Sequence, residues 1–256
     1  MKHTLLIITA LMLIVGCSKT IDVDKLVERG GLLYEVNSDK PFSGEGVSYY
    51  SNGQKREEGT LKDGKREGLW TDWGENGQLW LESIYIDGEW DGEYTYWYEN
   101  GQKKEQGTAK GSDRDVRPAP AGNTTYWYDN GQKKEEGTYK DGERDRKWTG
   151  WYENGQKRYE ETYKDGEPDR KWILWYDNGQ KKQEGTYKDG ELNGEWTWWY
   201  ENGQKKSEGT YKDGKEDGNG KWTWWYENGQ KEAEGTFKDG ELISEELWNE
   251  DGSVLE

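Results

Sequence analysis

The tripeptide Asn-Gly-Gln occurs eight times in this 256-residue chain, at Asn52, Asn76, Asn100, Asn130, Asn154, Asn178, Asn202 and Asn228, with spacings of 24, 24, 30, 24, 24, 24 and 26 residues. Asp-Gly follows 11 residues later at Asp63, Asp87, Asp141, Asp165, Asp189, Asp213 and Asp239. Two turn signals at a constant period of about 24 residues define a tandem repeat. In a repeat almost every residue has counterparts one period away, whereas a catalytic pocket is usually unique. The pattern therefore constrains architecture more tightly than task.

The unit beginning Trp196-Thr-Trp-Trp-Tyr200-Glu-Asn-Gly-Gln-Lys-Lys-Ser-Glu-Gly-Thr-Tyr211 shows what one period encodes. Two runs rich in Trp, Tyr and Thr flank Asn-Gly, a strong hairpin signal, and a two-residue type I′ turn is expected there. In that register Tyr200 faces Lys205, Trp199 faces Lys206, Trp196 faces Gly209 and Gly194 faces Tyr211. Alternation across a strand puts Trp196, Trp198, Tyr200 and Tyr211 on one face and Trp199 on the other. The first row recurs as Trp70, Tyr94, Trp148, Trp172, Trp196 and Trp222, joined by Tyr98, Tyr128, Tyr152, Tyr176, Tyr200 and Tyr226. The second is Tyr49, Trp73, Trp97, Trp127, Trp151, Trp175, Trp199 and Trp225. Aromatic rings opposite glycines are expected to cover bare backbone, and lysines beside the rings to add cation–π attraction. The expected fold is all-β, an elongated array of tandem antiparallel hairpins.

Gly-x-Trp-x-x-Trp-Tyr-Glu-Asn-Gly-Gln-Lys, with Tyr-Lys-Asp-Gly between units, resembles the MORN-repeat variant of bacteria, a group often labelled YwqK-family antitoxins. The resemblance spans about 44–256. It implies a hairpin array used for interaction and no catalytic residue. The expected organisation is a signal peptide at 1–16, a tether at 17–25, an N-terminal cap hairpin at 26–43, repeats over 44–241 and a C-terminal cap hairpin at 242–256. The long spacing arises in 110–122, read as a loop insertion rather than a hinge. Leu79-Trp80-Leu81 and Ile84-Tyr85-Ile86 replace the charged strand of the second unit, either as a docking patch or as tighter packing.

The opening apolar run, Leu5 to Val15, is too short to span a bilayer and fits an export signal. Ile14-Val15-Gly16-Cys17 resembles the lipobox of bacterial lipoproteins, which implies acylation of Cys17 and, with Ser18 after it, an outer-membrane address. Cys17 is the only cysteine and His3 the only histidine, so no disulfide, Cys-His or Ser-His-Asp arrangement can form in the exported chain. No cofactor, metal site or enzymatic activity is expected; an Asp213–Gly220 calcium loop fails because Lys215 takes a ligand position. A net charge of −17 argues against nucleic acid. The expected role is a membrane-tethered scaffold for a protein partner. The alternatives are glycan or peptidoglycan binding on Trp73, Trp97, Trp127, Trp151, Trp175, Trp199 and Trp225, and an antitoxin or immunity role.

Overall fold

The structure, a computed structural model, describes residues 19–112, 119–216, 220–238 and 241–255. The expected signal peptide, Cys17, Asp239 and parts of the long loop and of the calcium-like loop lie outside the described residues. From Gly44–Tyr49 onward each strand pairs antiparallel with the next, through to Glu241–Leu247, in a sheet of 19 strands. One strand is split, so that Lys215–Glu216 and Lys221–Trp225 both pair with Lys205–Lys212. Among the described residues no ladder joins Glu241–Leu247 back to Gly44–Tyr49, so the sheet is open, about 80 Å across its strands before twist at the usual strand spacing. The meander runs on through the long spacing, because Lys103–Ser112 pairs directly with Pro120–Trp127.

Residues 20–25 of the expected tether are folded. Thr20–Asp22 pairs parallel with Gly44–Tyr49, a single turn of 3₁₀ helix follows at Val23–Lys25, and Val23 enters the core. The apolar residues around it explain why. Val23, Phe42, Leu61, Trp70, Leu81, Tyr85, Trp90 and Tyr94 form one cluster at this end, and the hairpin Val27–Arg29 with Leu32–Tyr34 stands beside it. Leu81 and Tyr85 are buried there while Trp80 and Ile86 are exposed, so the apolar second unit both packs and presents itself to solvent.

The type I′ turn expected at Asn-Gly forms at Asp-Gly instead. The Asp-Gly pairs are the type I′ turns: Asp189 and Gly190 have φ of 50° and 81°, and Lys188 pairs with Glu191 across them. At Asn202 the loop has three residues. Gly203 N–H donates to Tyr200 O (3.0 Å), Tyr200 N–H donates to Gln204 O (2.9 Å), and only Gly203 has positive φ, 84°. This is a type I turn closed by a left-handed glycine, a common three-residue hairpin. Trp199 therefore pairs with Lys205, not Lys206. Lys206 is then a bulge residue, which restores the expected pairs of Trp196 with Gly209 and Gly194 with Tyr211.

A second bulge lies two residues before each of Trp70, Tyr94, Thr124, Trp148, Trp172 and Trp196 and takes a left-handed residue. Glycine supplies it at Gly68, Gly92, Gly122 and Gly194, but Arg146 and Arg170 do so with φ of 60° and 63°. A Cβ there costs about 1–2 kcal/mol, against a smaller entropic cost of glycine. The ion pairs to Asp145 and Asp169 leave the arginine side chains 80% and 83% exposed and offset little. Arg146→Gly and Arg170→Gly are each expected to raise stability by about 0.5–1 kcal/mol, read as a shift in the urea midpoint at unchanged slope.

Candidate functional site

The first aromatic row lies on the face that packs. Trp70, Trp148, Trp196 and Trp222 are at most 3% exposed, and each covers a glycine of the preceding strand, respectively Gly59, Gly137, Gly185 and Gly209. The covered glycine of Trp196 is thus Gly185, rather than its directly opposed Gly209. The indole N–H groups of Trp70, Trp148 and Trp196 donate to Thr60, Thr138 and Thr186 carbonyls at 3.0–3.1 Å. These bonds satisfy a polar group that burial would otherwise strand. Trp196, Trp198, Tyr211, Trp222 and Trp224 then continue the row by stacked and edge-on contacts of 5.1–5.8 Å, in ranges where aromatic pairs attract.

Glu161 interrupts the pattern, standing where the other units have Gly or Ser, and it is buried. Tyr163 donates to it at 2.8 Å. Arg144 lies 3.8 Å from it, 2.8 Å from Glu135 and 4.2 Å from the Trp148 ring centre. Burial pushes the Glu161 carboxyl above its ordinary range despite Tyr163 and Arg144. A similar group occurs near the other end, where Arg66 is paired with Glu57 and sits 3.9 Å from Trp70.

Asp72 pairs with Glu57 in the same cross-strand row. Burial pushes its carboxyl up from 3.8 to about 6, against the pull of Arg66. The folded protein thus holds this proton more tightly than the unfolded chain. Stability from Asp72 is full below about pH 4 and is lost as the pH rises through about 6. Asp72→Asn is expected to add about 2 kcal/mol at pH 7 and nearly nothing at pH 4, as measured by urea unfolding at the two pH values.

The opposite row, the expected binding surface, is half-buried from Trp73 to Trp225. A lysine of the preceding unit lies over most of these rings: Lys55 over Trp73, Lys103 over Trp127, Lys133 over Trp151, Lys157 over Trp175, Lys181 over Trp199 and Lys205 over Trp225, at 5.0–5.7 Å. The same lysines bond three residues on, as Lys133 does to Glu136 at 2.6 Å. One side of each of these six rings therefore already carries an ammonium.

The tyrosines that precede the Asn-Gly turns do not stack in the first row. They staple each unit to the next. Tyr50, Tyr98, Tyr128, Tyr152, Tyr176, Tyr200 and Tyr226 donate their hydroxyls to the carbonyls of Trp73, Trp127, Trp151, Trp175, Trp199, Trp225 and Trp248 at 2.7–2.9 Å. The turn asparagines act beside them. Asn202 Oδ1 accepts from Gln204 N (2.9 Å), and its Nδ2 donates to Glu227 O (2.8 Å). The amide bond recurs at Asn52, Asn100, Asn130, Asn154, Asn178 and Asn228. Asparagine is thus selected as a turn former and as an inter-unit donor, and only the first role was visible in the tripeptide.

One rung is missing. Position 74 is Gly, and the flanking tyrosines Tyr50 and Tyr98, together with Trp80, Trp97, Glu75 and Glu99, border a cavity of about 520 Å³. The turn itself is intact, with Gly77 N–H donating to Gly74 O at 2.8 Å and Gly74 N–H to Gln78 O at 2.9 Å. The neighbours have changed with it. Leu79 replaces the lysine that would cover Trp97. Trp80 replaces the cation that elsewhere sits over the tyrosine, as Lys104 does over Tyr98 at 5.6 Å. Among the described residues no cluster of three or more His, Cys, Asp or Glu is placed to hold a metal, and no helix is long and apolar enough to cross a membrane.

The TcdB2–TccC3–Cdc42 crystal structure has 10% identity and a TM-score of 0.16, and the Photorhabdus luminescens Tc holotoxin pore has 12% and 0.17; each match covers 87% of this chain and 16% of the other. The chain spans about a sixth of the length of those chains. No curated protein matches the sequence. The family model of the MORN repeat variant matches eight times, at 43–63, 66–87, 90–110, 121–141, 147–165, 171–189, 192–213 and 218–239. Each segment holds one Asn-Gly turn between its paired strands, and the chain belongs to the MORN repeat variant family.

Proposed function

We propose that this protein is a non-enzymatic scaffold that holds a protein partner at the bacterial cell envelope, tethered to the outer membrane by acyl chains on Cys17. The observation that carries the interaction reading is the inequality of the sheet's two edges. At the N-terminal edge Thr20–Asp22 covers Gly44–Tyr49. At the other, Glu241–Leu247 pairs with Lys231–Lys238; the C-terminal turn returns only to its end, where Leu255 N–H donates to Leu247 O at 2.9 Å beside the Trp248–Val254 bridge, and among the described residues no strand covers its start, which exposes Leu242 and Ile243, the latter at 60%. A stretch of edge left uncovered beside apolar side chains is a template for an added strand. The tether rests on the lipobox resemblance, and several acyl chains hold a protein where one does so only marginally.

A photo-crosslinker at position 243 in intact cells tests the reading. One discrete adduct is expected, lost on Ile243→Lys with the β-sheet circular dichroism unchanged. Adducts to no protein, or to many without preference, would contradict it. Retention of the purified protein on peptidoglycan, lost when Trp151 and Trp199 become Ala, would replace it with the glycan reading. Palmitate labelling that survives Cys17→Ser would remove the tether.

A further inference from the structure

We infer that the gap at Gly74 is a binding site for a tyrosine side chain of a partner protein, whose phenol ring takes the place of the absent rung. The molecule itself supplies the template. Seven tyrosines occupy the equivalent position, and each donates its hydroxyl to the next unit's Trp carbonyl at 2.7–2.9 Å. At Gly74 the turn keeps its backbone bonds but has no ring to fill the space and no hydroxyl for the Trp97 carbonyl. Asn76 shares the difference. Its Oδ1 accepts from Gln78 N at 3.0 Å, but among the described residues its amide lacks the inter-unit bond that the other seven turn asparagines make.

The walls suit an incoming ring. The cavity of about 520 Å³ is bordered by Tyr50, Tyr98, Trp97 and Trp80, within the size of small-ligand sites. Trp80 is 43% exposed and leans on Tyr96, with ring centres 5.8 Å apart. An indole therefore stands where other units place a cation over their own tyrosine. Glu75 and Glu99 stand exposed at the rim of a chain with net charge −17. This charge favours a tyrosine flanked by Lys or Arg. The hydroxyl is what the site reads, because a ring without it would leave the Trp97 carbonyl unpaired.

The site deepens the scaffold reading by naming a partner side chain, but it lies far along the chain from the exposed edge strand. The test uses the full chain and three probes, acetyl-Lys-Tyr-Lys-amide and its Phe and Leu counterparts, followed by NMR at the indole N–H signals of Trp80 and Trp97. The Tyr probe is expected to saturate with a Kd on the order of 1 mM, the scale for one small anchor. The Phe probe is expected to bind about fivefold weaker, the loss of one hydrogen bond, and the Leu probe weaker still. Gly74→Tyr supplies the rung within the chain, so it should abolish binding and raise Tm. Gly74 has an ordinary φ, and a Cβ there meets only the Asn76 side chain closely. Trp80→Lys restores the residue type of the other units at an exposed position and should weaken binding at least fivefold. Ile243→Lys should leave peptide binding unchanged, which separates this site from the edge strand. Equal affinity for the Tyr and Phe probes would overturn the inference. So would wild-type binding by Gly74→Tyr, or no saturation by about 10 mM.

Discussion

Trp148→Ala is expected to cost about 4 kcal/mol of unfolding free energy, in the range for emptying a buried aromatic site. The ring is 0% exposed, covers Gly137, meets Tyr139 edge-on at 4.8 Å and supports the Arg144 guanidinium at 4.2 Å. Its removal deletes the 3.0 Å bond to Thr138 O and leaves the Arg144–Glu135 pair above a hole. Trp151 provides the comparison. It is half-buried on the opposite face, with Lys133 over its ring, and Trp151→Ala is expected to cost about 1–2 kcal/mol. Urea denaturation of the two variants gives the difference directly, and equal costs would mean that both faces carry the core. In a repeat protein the damage is local, so amide exchange should quicken most between residues 133 and 164.

Gly185→Val is the second large effect, on the order of 3–5 kcal/mol. Its direction is opposite to what strand preference suggests, because valine is ordinarily favoured in strands. Gly185 has no unusual backbone angle; the obstacle is that a Cβ would lie inside the Trp196 ring. The ring would be forced from its pocket and lose its bond to Thr186 O. The cause is separable from backbone effects by a double-mutant cycle. In a Trp196→Ala background the ring is gone, and Gly185→Val should then cost less than about 1 kcal/mol. A full penalty in that background would locate the strain in the backbone instead.

Much of this architecture is written in short-range signals. The Asn-Gly and Asp-Gly pairs mark the turns of the regular units, and the period and all-β class follow from them. What a dipeptide does not encode is loop length. Asn-Gly fits a two-residue type I′ turn or a three-residue loop in which only glycine is left-handed, and the second is formed at Asn202. The extra residue is absorbed by the bulge at Lys206, so the pairs beyond it come out as alternation predicts. The tyrosine staples were harder to see, since Tyr200 and Trp225 meet across two hairpins and no local periodicity links them. Thr20–Asp22, three polar-flanked residues, carries no strand signal of its own; its partner lies 25 residues on. The gap at Gly74 was legible, as Trp73-Gly74 stands where other units have Trp-Tyr. It gains meaning only once the tyrosine's bond to the next unit is known.

Small-angle scattering of residues 19–256 tests most directly whether these hairpins form an open ribbon sealed by rings over glycines and stapled by tyrosines. About 17 strand-to-strand steps give a longest dimension near 80 Å and a radius of gyration of about 25 Å. A radius of about 18 Å, the value for a compact domain of this length, would contradict the open sheet and the inter-unit contacts derived from it.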